Sequence, residues 1–141
     1  MRLTLRFSLL ILIVLAGLLP GFAQETHGAA PADTAARVPA LDRYHEVISV
    51  IWHVAWPKKD TEKLAALLPG VKSGMDSVAA ATLPVSLREK KALWERGVVD
   101  LRGAVKEYAE AVSVKDSTRL LKAAEVLHAR YEALVRITRP R

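Results

Sequence analysis

Apolar side chains recur every three or four positions along most of the chain, from Ala40 to Ile137. This spacing places them on one face of an α-helix, which turns once every 3.6 residues. No stretch shows the two-residue alternation that is typical of a half-buried β-strand. The pattern therefore predicts an all-α protein. In the second of four such segments, the apolar positions are Leu64, Leu67, Leu68, Val71, Met75 and Val78.

Residues that start and stop helices divide the pattern into four segments. Pro57 ends the first, because the residue before a proline is pushed out of helical geometry. Asp60 can cap the second, Ser86 and Glu89 have the spacing of a capping box, and Asp116 begins the fourth. Because the connections are short, the sequence predicts an antiparallel up-down-up-down four-helix bundle. The bundle is expected over residues 40–137, with helices over about 40–56, 60–82, 86–113 and 116–137.

The first 23 residues have the pattern of a secretory signal peptide. Two arginines precede an apolar run over residues 7–19, and small residues precede the expected cleavage after Ala23. The run is shorter than the roughly 20 residues that span a bilayer as a helix, although an uncleaved anchor stays open as an alternative. We expect a periplasmic or secreted protein with a flexible leader over residues 24–39, which contains His27.

The chain contains no cysteine. This excludes disulfides, cysteine zinc sites, lipid attachment at cysteine and covalent haem attachment. Removal of the signal peptide would take away two arginines and lower the formal net charge from +6 to +4. The remaining basic residues are spread along the chain, whereas nucleic-acid-binding proteins typically have a concentrated basic patch. We therefore expect no nucleic-acid partner.

Two histidines and two tryptophans occur in the segment RYHEVISVIWHVAWPKKD. At about 100° per residue, His45 lies at the margin of the buried face and His53 on the polar side. The two are about 12 Å apart along the helix axis, which is too far for them to share one ion, and Ser49 occupies the position between them. Trp52 and Trp56 are expected to be boundary rings packed against the PKKD loop.

In the predicted bundle, one side chain from each helix falls within about one turn of a common layer. These side chains are His45, Met75, Trp94 and His128. Imidazole and thioether ligands suit copper, other transition metals, or the axial positions of a non-covalent b-type haem.

The sequence thus indicates a cofactor site of His45, Met75 and His128, and metal ligation by His45, His128 and His53. For His53, one interpretation is exposure on the polar face, with Glu46 beside it, and the other is a peripheral metal-ligand pair with a carboxylate. Met75 can equally be core packing, and the histidines can be exposed or hydrogen-bonded rings.

The segments YHEVISVIWHVAWPKKD and LHARYEALVR resemble a group of small uncharacterised exported helical proteins, over about residues 41–136. In that group, histidine recurs every four residues before a Trp-His pair and a Pro-x-Lys-Asp turn. Ser49 stands where the group has histidine. The architecture also resembles the cytochrome b562 and cytochrome c′ bundles, which bind haem through a histidine on the last helix. His128 has that placement, whereas Met75 is on the second helix rather than the first.

The sequence carries no catalytic constellation. It has no Gly-rich phosphate loop, and HEVIS has Ser49 in place of the second histidine of a His-Glu-x-x-His motif. We expect a protein that is not an enzyme and has no small-molecule substrate, a monomer or homodimer whose candidate partner is another envelope protein. Two functions stay open, metal or haem binding in the envelope and a ligand-free adaptor or scaffold.

Overall fold

A computed structural model describes residues 37–139, and this part of the chain is all-α with no β-strand. The prediction of an all-α fold is confirmed. The predicted signal peptide, and the leader up to residue 36, lie outside the described residues. Between residues 37 and 139, no helix combines the length and apolarity that crossing a membrane requires. The helices are α1 (Pro39–Val50), a π-helix (Ile51–Ala55), α2 (Thr61–Ala66), α3 (Leu68–Ala79), a 3₁₀-helix (Val85–Lys90), α4 (Lys91–Ser113) and α5 (Ser117–Thr138).

Two connections share a Lys-Asp pair that ends one helix and begins the next. Lys59 and Lys115 both have a φ of 52°, in the left-handed region. The next residues, Asp60 and Asp116, donate their backbone N–H groups to carbonyls five residues back, at 3.0 and 3.3 Å. This is the Schellman pattern of a helix C-terminus. Each aspartate carboxylate then accepts a 2.9 Å hydrogen bond from the N–H three residues later, which caps α2 and α5 as predicted.

The sequence predicts one helix over residues 60–82 that is kinked at Pro69-Gly70, whereas the structure has two helices. They are separated at Leu67, whose N–H is shared between two carbonyls at 3.1 and 3.2 Å. Pro69 explains the interruption, because it has no N–H to donate to the carbonyl four residues earlier. The Tyr108 hydroxyl of α4 donates a 2.6 Å hydrogen bond to the Leu64 carbonyl beside this break, and so ties α2 to α4.

The third predicted helix begins later than residue 86. Ser86 and Glu89 form no capping box, and the chain passes through the 3₁₀-helix before α4 starts. In its first turn the Leu87 N–H donates to the Pro84 carbonyl at 2.9 Å. A 3₁₀ turn is tighter than an α turn and is common at helix N-termini. The consequence is a connection between α3 and α4 that is longer than the sequence indicated.

The helices are held together by an apolar core. α1 packs against α3, α4 packs against α3 and α5, and α5 also contacts α1, α2 and the π-helix. Within residues 37–139, no charged side chain is buried. Two glycines allow close approach, because a Cβ on Gly74 would lie 2.2 Å from Tyr44 Cδ2 and one on Gly97 would lie 2.7 Å from Leu134 Cδ1. The α1–α3 and α4–α5 contacts therefore each depend on a glycine, which has no side chain to keep the helices apart.

Candidate functional site

The first helix does not stay α-helical to Trp56 as predicted. It changes into the π-helix, in which the Trp56 N–H donates to the Ile51 carbonyl, five residues back, at 2.8 Å. A π turn holds one residue more than an α turn and is frequent at functional sites. Side chains after Ile51 are therefore rotated away from the positions that 100° per residue assigns. Ile51 and Ala55 are fully buried, and Trp52 lies against α5.

A stack of aromatic rings joins the π-helix to α5. The Trp52 indole and the His128 imidazole are nearly parallel, with ring centroids 4.1 Å apart and planes at 7°. Trp52 also stacks with Trp56, at 4.5 Å and 26°. The Trp56 Nε1 donates a 3.2 Å hydrogen bond to the Leu121 carbonyl of α5. Both tryptophans thus contact α5. The sequence had instead predicted that they pack against the PKKD loop.

His45, on α1, contacts the same face of α5 one turn further along, at Tyr131. Its exposed imidazole stacks on the buried Tyr131 ring at 6.0 Å and 29°, and the Tyr131 hydroxyl donates a 3.0 Å hydrogen bond to the Leu41 carbonyl. Burial raises the pKa of Tyr131 to about 12, with the charges of Glu132 and Asp42 contributing. The hydroxyl therefore stays protonated and remains a donor, which holds α1 against α5 beneath His45.

A polar hollow of about 400 Å³ opens beside His45. Carboxylates of Asp42 and Glu132 and guanidinium groups of Arg37 and Arg139 line it. Arg37 lies 4.0 Å from Asp42 across exposed surface. The hollow is open to solvent, so these charges are screened and the ion pair holds the side chains only weakly.

The electrostatics of His128 favour its neutral form. Its imidazole is half-buried, and loss of hydration lowers its pKa below the ordinary value of 6.5. The charge of Glu132 opposes this shift, whereas the charges of His53 and His45 act in the same direction as burial. His128 is therefore within electrostatic reach of both histidines of the first helix. A neutral imidazole is the form that binds a metal ion.

The interval between His45 and His53 is filled from α5. Ser49, between them in sequence, donates its Oγ to the Glu46 carbonyl of its own helix at 3.0 Å. His128 lies on a different helix, α5, and stacks on Trp52. Within the described residues, the exposed His53 forms no ion pair with Glu46. We call the surface that carries His45 and His128, at the contact of the first helix with α5, the histidine face.

Met75 does not share this surface. Its side chain is 3% exposed and belongs to the core. The Tyr44 ring packs on Gly74, the neighbour of Met75, and meets the Tyr131 ring edge-on at 5.8 Å. An aromatic ring therefore occupies the space between this part of α3 and α5. The sequence placed Met75 and His45 in one layer, but Met75 is buried in the core and His45 is exposed.

Within residues 37–139 there is no group of three or more histidine, aspartate or glutamate side chains arranged to hold a metal ion. The histidine face thus offers imidazoles singly or in pairs. No protein-family model, curated protein sequence or solved structure matches the chain.

The sequence pattern did not indicate the partnership of Trp52 with His128 or of His45 with Tyr131. Two signals were present. Trp52 and Trp56 are four residues apart, and His128 and Tyr131 are three apart, which are the spacings of neighbours on a helix face. The stack follows when Trp52 is matched with His128 and His45 with Tyr131 across the α1–α5 contact, which requires the register that the π-helix creates.

Proposed function

We propose that this protein is an exported helical bundle that binds a divalent transition metal ion at the α1–α5 face. His128 is the central ligand, and His45 or His53 is the second. The observation that carries the proposal is the position of His128, which is held flat against Trp52 within electrostatic reach of two further histidines.

The chemistry of these residues favours copper or zinc. Neutral imidazole suits both metals, and copper binds nitrogen ligands most tightly among the divalent ions of its row. Two protein ligands leave the other coordination positions to solvent or to a partner molecule. A site of this kind resembles a transfer or sensing site more than a closed structural one, since closed structural sites use four protein ligands.

A b-type haem is less well supported than a metal ion. An axial pair of His128 and Met75 would need an open slot between α3 and α5. The Tyr44 ring stands there, packed between Gly74 and Tyr131.

Export and the up-down-up-down arrangement are part of the same proposal. Export is supported by the arginine-led apolar run before Ala23. The arrangement is supported by two short turns around Lys59 and Lys115 and by the pairing of α1 with α3 and of α4 with α5.

Metal titration of the purified protein tests the proposal. We expect Cu²⁺ to quench tryptophan fluorescence, because a bound paramagnetic ion would lie beside Trp52, and Zn²⁺ to shift the NMR signals of the His128 ring. His128→Ala should lose both effects. His27→Ala, which removes the one histidine outside the described residues, is the matched control and should behave as the wild type.

His45→Ala and His53→Ala identify the second ligand, which is whichever variant also weakens binding. If neither ion changes the spectra or the melting temperature, the metal function is wrong. It is equally wrong if His128→Ala binds as tightly as the wild type.

A ligand-free envelope adaptor is the second candidate. It is favoured by the core, in which no charged side chain of residues 37–139 is buried, and by the lack of a three-ligand group there. This function predicts that changing His45 and His128 to Leu together is neutral or stabilising, and that cross-linking in the envelope captures a specific partner.

A further inference from the structure

A second concave surface lies away from the histidines. It is a groove of about 640 Å³ between the end of α3, the chain leading into the 3₁₀-helix, and the first half of α4. The volume is within the 300–1,000 Å³ that is usual for small-molecule sites. No histidine lines it. The lining residues are Ala79, Ala81, Thr82, Leu83, Val85, Arg88, Lys91, Trp94, Glu95, Val98 and Val99.

The groove exists because the connection between α3 and α4 does not pack flat. Residues 81–84 belong to no helix, and small side chains at Ala79 and Ala81 leave space above α4. The Trp94 ring, only 5% exposed, lines this space from the core side.

The groove is apolar and open. Val85 and Val99 line it with 74% and 68% of their surface exposed, which makes them the two most exposed large apolar side chains of residues 37–139. Single exposed apolar residues are ordinary. Two of them on one concave surface, continuous with a buried indole, form the kind of patch that marks a ligand groove.

One end of the groove carries positive charge. Lys91 is paired with Glu95 one turn along α4. Arg88 also lines the groove, and it forms no ion pair with any carboxylate of residues 37–139. A guanidinium beside an apolar channel can form two parallel hydrogen bonds with a carboxylate.

We propose that this groove binds a single-chain aliphatic carboxylate, with the hydrocarbon along Val85, Val99 and Trp94 and the carboxylate at Arg88. The apolar lining selects the chain, and the unpaired guanidinium selects an anionic head over a neutral or cationic one. The proposal is independent of metal binding, because the groove is built from α3, the 3₁₀-helix and α4 and contains none of the histidines.

Titration of the full-length protein with dodecanoate below its micelle concentration tests the proposal, by calorimetry and by NMR of the three indole N–H groups. We expect the Trp94 signal to move while those of Trp52 and Trp56 stay in place. Affinity should fall about fourfold for each methylene removed from the chain, which is the value of burying one CH₂. Dodecyltrimethylammonium, with the same chain and the opposite charge, should bind at least about tenfold more weakly.

Two exposed valines provide a matched pair of variants. Val99→Asp places a carboxylate in the groove and should abolish binding. Val114→Asp makes the same change at a valine that is 59% exposed and outside the groove, and should leave binding intact. Arg88→Ala should weaken dodecanoate about threefold to fivefold, as for a surface ion pair, and should not weaken the cationic detergent, because the repulsion between two positive charges is removed.

Several results would overturn the proposal. They are equal affinity for the two detergents, equal binding by both valine variants, or no binding at all. Concentration-dependent dimerisation that Val99→Asp abolishes, without dodecanoate binding, would assign the groove to a second copy of the chain. Binding of dodecanoate only after removal of residues 1–23 would assign the groove to the apolar run of the N-terminus.

Discussion

The imidazole of His128 lies parallel to the indole of Trp52, with ring centroids 4.1 Å apart. The two residues come from different helices, and the indole covers one face of the imidazole. Covering that face removes water from a ring that would carry charge when protonated, which is the main cause of the lowered pKa of His128. The stack therefore both positions the ring and keeps it neutral.

Uncovering His128 should raise its pKa. In Trp52→Leu the imidazole regains water on one face, so we expect its pKa to move back toward the ordinary value of about 6.5. Trp52→Phe keeps a stacked ring and should keep the low pKa. NMR titration of the histidine ring protons measures both variants. An unchanged pKa in Trp52→Leu would mean that other neighbours, rather than the indole, keep water from the His128 ring.

The same shift predicts how stability depends on pH. Because folding lowers the pKa of His128, the unfolded chain binds its proton more readily than the folded protein. The stability associated with His128 is therefore complete above pH of about 6.5 and is lost as pH falls below that value. Urea unfolding should show that the free energy of unfolding falls less between pH 8 and pH 5.5 in His128→Gln than in the wild type. His27→Gln should retain the wild-type slope.

Two buried tyrosines should respond in opposite ways to loss of their hydroxyl. Tyr108 donates to the Leu64 carbonyl, so Tyr108→Phe should lower the free energy of unfolding by about 1 kcal/mol. The Tyr44 hydroxyl is buried and has no hydrogen-bond partner among residues 37–139. Tyr44→Phe should therefore be neutral or stabilising by up to about 1 kcal/mol. Chemical unfolding of the pair checks the order, and the reverse order would show that Tyr44 has an unrecognised partner.

Replacing a lysine that has a left-handed backbone conformation by glycine should stabilise the fold. Lys115 has a φ of 52°, a conformation that costs a side chain about 1 kcal/mol and glycine little. Lys115→Gly should raise the free energy of unfolding by about 0.5–1 kcal/mol. Lys106→Gly, in the middle of α4, is the control and should lower it by about 1 kcal/mol. Equal destabilisation by both would show that the Lys115 side chain contributes at its turn.

Substitution of alanine at two glycines should have opposite effects on stability, because one glycine is closely packed and the other is not. A Cβ at Gly74 would lie 2.2 Å from Tyr44, whereas one at Gly103 would have nothing within 4 Å. Gly74→Ala should therefore destabilise by about 2 kcal/mol or more, as in an overpacked core. Gly103→Ala should stabilise by roughly 0.5–1 kcal/mol. Thermal unfolding is sufficient, and a tolerated Gly74→Ala would mean that α1 can move away from α3.

Sequence reasoning worked where the relevant chemistry is local. Asp60 and Asp116 cap helices because a carboxylate reaches an N–H three residues away, and this depends only on neighbouring residues. It was less accurate where a tighter turn or a proline competed with the helix pattern. Pro69 separated α2 from α3, and the segment after Pro84 became a 3₁₀-helix instead of the first turns of α4.

The sequence by itself determined that the described chain is all-α, that its core is apolar, and where two of its helices begin. These follow from periodicity and from caps, which act within about one turn. Only the tertiary structure decided that His128 lies on Trp52 and that Met75 is enclosed behind Tyr44. Both contacts depend on how helices that are distant in sequence pack together. The π-helix shifts the register of the first helix against α5 by one residue, and the apolar pattern of one helix does not reveal this shift.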